Sequence, residues 1–316
     1  MSLERLLARV YELPSIPKVV QDLMASFNSS KTDVASVSRN IQSDPVISAK
    51  VLRLANSVRY GAGRKIASID SAVVMLGFNT LKTLVIASGV TGTFKAIPGL
   101  DVKEFWRNSF MIANICKLIA KNARGLDVET AFTCGMLHQI GIALLYMVYP
   151  NEMKKIQAKL QADDDRTVHE RIQFGFDNNE AGANLALLWK FPDVIQHALA
   201  FQGDPLASKP FSPYAAIIKL AEYIKNGFDH NREREDIIAN MPEALAAPLH
   251  INTFALFEQL SKLYEAEDDI EDLLDAALIE DTHAEVVRDE LPGKIGLDVG
   301  ETEHQVGLEG HDLLDA

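Results

Sequence analysis

Near the middle of the chain, Gly135-Met136-Leu137-His138-Gln139-Ile140-Gly141 sets an imidazole beside a carboxamide, just ahead of a glycine. An imidazole followed by a carboxylate would make a metal-binding pair, because a carboxylate brings negative charge and can bridge two cations. Gln139 does neither, and an amide is a poor ligand for transition metals. A second candidate is Arg59-Tyr60-Gly61-Ala62-Gly63-Arg64-Lys65, where glycines and three cations could cradle a phosphate. It lacks the strand-to-helix setting of a phosphate loop, so an ordinary turn is the expectation, with Arg64 and Lys65 kept as possible ligand contacts. No Ser, Thr or Cys stands next to a recognisable base, and His197 is expected to cover a helix face. Cys116 and Cys134 lie in apolar surroundings without CxxC spacing, as buried thiols in a reducing compartment would.

The elements that must position these groups are helices. Apolar residues recur with helical spacing along the chain, and no period-two run is convincing, so the fold class is all-α. Asp44-Pro45 reads as a helix start, with Asp as cap and Pro in the first turn. Ser68 should cap a short helix from Ile69 to Leu76, ended by Gly77, with Asn79 capping the next. A new block opens near Asp101. Asp127 should start a central helix, buried on all sides and ended by Pro150. Asp177-Asn178-Asn179-Glu180 has the form of a capping box, Pro192 precedes another helix, and helices around Ile237–Leu245 and Thr253–Tyr264 follow. At the end of Leu52-Arg53-Leu54-Ala55-Asn56-Ser57, Asn56 and Ser57 are expected to bond backbone groups and fix the next turn. A role for the pair in a partner-binding surface is the alternative.

Composition narrows the function classes. The 316 residues are 47% hydrophobic and 24% charged, ordinary for a soluble globular protein. No basic-then-apolar leader opens the sequence. Thr130 to Asn151 carries no formal charge and could span a bilayer, but it holds His138, Gln139, Pro150 and two glycines, and a buried core helix is the expectation. The net charge of -13 is concentrated after Leu263: Tyr264–Ala316 holds 18 acidic and 2 basic residues, against 26 acidic and 29 basic before it. A near-neutral body with an acidic tail argues against a general nucleic-acid binder.

Several ordered motifs resemble the HDOD domain. They are Leu13-Pro14-x-x-Pro17, Ser43-Asp44-Pro45, Leu52–Ser57, Ile69-Asp70-Ser71-Ala72-Val73-x-x-Leu76-Gly77, Trp106-x-x-Ser109, Leu137-His138-x-Ile140-Gly141, Phe174-Gly175 and Trp189-x-x-Pro192. The resemblance covers roughly residues 10–205, with a helical extension to about 280. It implies an all-helical bacterial module related to the HD metal-dependent phosphohydrolases, which usually lacks their full metal set. Position by position, a catalytic relative would have His where this chain has Asn108, and Asp where it has Gln139. It would have His at Asn178, and Asp at Glu222. The His-His pair typical even of many HDOD proteins is here Gln202 and Gly203. His138 alone, with Glu222 a doubtful second, keeps a ligating group of the right kind, whereas a metal site needs about three or four. His138 is therefore expected to be a buried histidine bonded to Asn108 or Asn178.

These readings predict an N-terminal helical block over 1–97, an HD-like core over 98–280, and an acidic, loosely held tail over 281–316. The expected function is a cytoplasmic, non-catalytic regulatory module with no cofactor and no metal. It would act in bacterial signal transduction through a protein partner (a kinase, a cyclic-dinucleotide enzyme or another regulator), or through a small ligand in the degenerate pocket. His138, Gln139, Asn178, Asn56, Ser57, Arg64 and Lys65 are the candidate contacts, and neither nucleic acid nor membrane is expected as a partner. The rival is a divergent phosphohydrolase acting on a nucleotide or cyclic dinucleotide, with His138 as general acid or base.

Overall fold

In the computed structural model, residues 2–10, 16–25, 34–56, 66–161 and 164–265 are described. Ser57, Arg64, Lys65, much of the Leu13–Pro17 motif and the 281–316 tail lie outside them. All described residues fall in one compact unit, Met1–Ile279. They form helices and no strands.

The first helices are α1 (Leu3–Val10), α2 (Lys18–Ala25), α3 (Val34–Gln42), α4 (Pro45–Ala55), α5 (Ile69–Leu76) and α6 (Phe78–Thr93). The Asp44 carboxylate accepts from the amides of Val46 and Ile47, which start α4. Ser68 Oγ accepts from Ser71 N and opens α5. Gly77 then turns the chain at φ 80°, a conformation open to glycine and strained for other residues. It closes α5 and also precedes α6, so Asn79 lies inside α6 rather than capping it. From Leu81 to Thr91 every residue of α6 is buried, which makes it the inner helix of this region.

The next helices are α7 (Val102–Lys121), α8 (Val128–Leu137), α9 (Ile140–Val148), α10 (Pro150–Gln157), α11 (Arg166–Phe174), α12 (Asn178–Leu188) and α13 (Asp193–Phe201). Asp101, Asp127, Asp165 and Asp177 each cap a helix through a side-chain oxygen. Then come α14 (Pro213–Asp229), α15 (Arg234–Ala239), α16 (Glu243–Ala246) and α17 (Thr253–Glu265). The α7–α8 pair forms the centre, with α6 and α14 packed against it. A polar link across it is buried Glu129, which accepts from Thr83 Oγ1 of α6 and Lys117 Nζ of α7, each at 2.7 Å. A carboxylate this deep is tolerable only because it is paired and hydrogen-bonded.

The central helix departs from expectation in two ways. It is not continuous from Asp127 to Pro150, because the chain leaves helical geometry at Gln139 (φ -103°, ψ 12°) and splits into α8 and α9. Pro150 does not simply end it either. The break comes at Tyr149, and Pro150 occupies the first turn of α10, where its missing N–H costs nothing. Val128–Val148 is long and apolar enough to cross a membrane by composition, but 83% of its most apolar window is buried within the protein.

Candidate functional site

The break between α8 and α9 is what exposes a site. At the end of α8, His138 turns its ring back so that Nδ1 lies 2.7 Å from the carbonyl oxygen of Gly135. A carbonyl cannot donate, so Nδ1 carries the proton and Nε2 presents a lone pair. Nε2 is buried and has no partner among the described residues. Burial pushes the imidazole down to about 4, helped by the charge of Lys225 and opposed by the Gly135 hydrogen bond. The expected bonds from His138 to Asn108 or Asn178 are not made, because both amides are engaged elsewhere.

Asn108, on α7, donates from Nδ2 to Gln139 Oε1 at 3.1 Å, which ties α7 to the start of α9. Asn178, the first residue of α12, donates its backbone N–H and its Nδ2 to one oxygen of Glu170, at 2.7 and 2.8 Å. Gln202, just past α13, donates Nε2 to the carbonyls of His138 (2.8 Å) and Leu199 (3.2 Å). Two acceptor carbonyls on the nitrogen side fix that amide's orientation and leave its Oε1 buried without a partner.

Six of the seven positions picked from sequence, namely His138, Gln139, Asn178, Gln202, Gly203 and Glu222, line one cavity of about 1080 Å³. Asn108 stands one hydrogen bond behind its wall. Glu222, on α14, lies 3.5 Å from Lys219, with 37% of its side chain reached by solvent through the cavity. Desolvation there still raises its carboxyl above the usual range, against the pull of Lys219. Asn56 is elsewhere. It ends α4, donating to the carbonyls of Leu52 and Ile66 and accepting from Ile66 N, all at 2.7 Å.

One feature escaped the sequence. Glu170 is fully buried, and burial raises its carboxyl while the Asn178 donors and Arg166 hold it down. Asp177 caps α12 in a reciprocal box with Glu180 and also accepts from Arg171 at 2.7 and 2.9 Å. The box was legible from residue spacing. Nothing in the polar-looking stretch Arg166–Phe174 marks Glu170 as buried.

A metal does not fit these residues. Gln139 gives its oxygen to Asn108, Asn178 is bound to Glu170, Gln202 turns its nitrogen on carbonyls, and Gly203 has no donor. Among the described residues, no three His, Cys, Asp or Glu side chains are grouped to hold an ion. The unmet buried acceptors of the cavity wall are a neutral imidazole nitrogen and an amide oxygen, set among carboxylates, with Arg166 Nη1 an unmet donor beside them.

Comparison with known proteins identifies the domain. The HDOD domain profile matches residues 13–205. A Shewanella amazonensis SB2B structure, provisionally named a phosphohydrolase, is 36% identical, with TM-score 0.74 over 87% of this chain and 98% of that one. An HDOD domain protein of unknown function from Geobacter sulfurreducens shares the fold at 22% identity and TM-score 0.73, over 86% of this chain and 96% of that one. An uncharacterised Treponema pallidum (strain Nichols) protein is 22% identical over 234 residues, which is 72% of this chain and 45% of that protein's length.

Proposed function

This chain belongs to the HDOD domain family, and from that membership we propose that it is a non-catalytic regulatory module of bacterial signalling. In this reading the fold of a phosphohydrolase is kept and its chemistry is lost. The observation that carries it is the use made of the substituted positions. Asn108 and Gln139 bond to each other, Asn178 bonds to Glu170, and Gln202 bonds to the His138 carbonyl. Side chains that would hold cations in a hydrolase instead link α7, α9, α11, α12 and α13, and the module would signal through a protein partner or by responding to a ligand in the cavity.

A phosphohydrolase acting on a nucleotide or cyclic dinucleotide is the second reading, favoured by the provisional name of the Shewanella relative. It would ask His138 to act as acid or base beside a phosphoryl group. The test is metal content by mass spectrometry after incubation with manganese, iron and zinc, with turnover of cyclic dinucleotides measured for the protein and for His138→Ala. Under the non-catalytic reading, metal stays below about a tenth of an ion per chain and no turnover is lost on substitution. Near-stoichiometric metal, or turnover abolished in a folded His138→Ala, would establish the enzyme instead.

A further inference from the structure

We infer that the cavity between α9, α11, α12, α13 and α14 binds a small, diffusible organic cation carrying several N–H donors. The inference rests on the non-catalytic reading of that cavity and names the ligand class it would take.

The first ground is the polarity of the buried groups. Two side chains in the cavity wall, His138 and Gln202, are 3% and 4% exposed. Each has one polar atom without a partner, His138 Nε2 and Gln202 Oε1. Both atoms are acceptors by necessity, since the other end of each side chain already donates to a main-chain carbonyl. Burying an acceptor unmet is costly, and a ligand donor would remove that cost.

The second ground is charge. Six carboxylates and three basic side chains line the cavity. Arg171 pairs with Asp177 at 2.7 Å and Lys219 lies 3.5 Å from Glu222, which leaves four carboxylates, Asp164, Asp165, Glu180 and Asp204, against Arg166. Arg166 has an unpartnered Nη1, but its charge is opposed by the buried Glu170. Acceptors in an acidic wall suit an ammonium or guanidinium group, which has donors only. They repel a phosphate, which has acceptors and negative charge. The volume, about 1080 Å³, is that of a small-molecule site.

The experiment is isothermal titration of the full chain with agmatine and spermidine, with AMP and manganese as separate arms. Agmatine or spermidine should bind, AMP should not, and Glu222→Gln should weaken amine binding by about tenfold, as loss of a charged acceptor does. Glu222 is half-exposed and its amide keeps the shape, so the variant should fold; circular dichroism checks this. No amine binding at millimolar concentration, preference for AMP, or equal binding by Glu222→Gln would overturn the inference and leave the non-catalytic reading standing. Stoichiometric manganese would overturn that reading itself. A capped Gly-Arg-Gly peptide that binds as tightly as agmatine would replace the diffusible ligand with an arginine of a partner protein.

Discussion

Gly141 packs directly on the Asn178 backbone: a Cβ on Gly141 would lie 1.9 Å from the Asn178 carbonyl oxygen and 2.7 Å from Gly182 N. The start of α9 thus touches the start of α12 backbone to backbone, and this contact sets Asn178 in the cavity wall near His138. Gly141→Ala should therefore cost about 3 kcal/mol or more, since backbone on both sides must move. Gly182→Ala, whose nearest atom would be 3.2 Å away, should cost less. Urea denaturation of the two variants checks the order, and equal stability would mean that the helices separate freely.

His138 should make the fold acid-sensitive in a defined window. Its folded value is lowered from 6.5 to about 4, so the unfolded chain takes up a proton that the folded chain refuses. Stability from this group is complete above pH 6.5, falls as pH drops towards 4, and is flat below. The loss should approach about 3 kcal/mol. Denaturation midpoints between pH 7 and pH 4 should show a slope that His138→Gln flattens. An unchanged slope would mean that the ring is solvated.

Glu170 should act with the opposite sign. Burial raises its carboxyl, so ionisation costs the folded state more than the unfolded one. This penalty is absent below the unfolded value near 4.5 and grows as pH rises through the raised folded value. Glu170→Gln keeps an oxygen for the Asn178 donors and removes the charge. It should therefore gain stability relative to the parent at pH 7 compared with pH 4, measured by thermal melts at both. A larger deficit at pH 7 would show that the Arg166 and Asn178 contacts outweigh desolvation.

The helix starts were legible in the sequence because capping is local chemistry. Ser68, Asp101, Asp127 and Asp177 each bond amides within three residues, and spacing alone exposes that pattern. The break at His138-Gln139 was not legible, since apolar residues run on both sides of it and periodicity carries straight through. Its cause lies in tertiary contacts, namely Asn108 from α7 and Gln202 from beyond α13. Glu170 was hidden for the same reason: its burial depends on how α11 lies on α12. Six of the motif positions line one cavity, while their hydrogen-bond partners, separated by 31 residues for Asn108–Gln139 and 64 for Gln202–His138, could not be read from spacing.

The dispersal of the metal ligands gives a graded prediction. Gln139→Asp alone restores the His-Asp pair, but the new carboxylate still meets the Asn108 amide, and Asn178 remains bound to Glu170. Metal affinity should stay negligible, because one imidazole and one carboxylate fall short of the three or four ligands an ion needs. Adding Asn108→His and Asn178→His supplies two imidazoles on helices that already flank His138. The Asn178 change also frees Glu170 from its side-chain donor, at some cost in stability. The triple variant should bind manganese or zinc near one ion per chain and gain thermal stability when metal is added, by linkage. If Gln139→Asp alone bound metal at that level, the amides would be incidental, and the cavity would be a hydrolase site one residue from function.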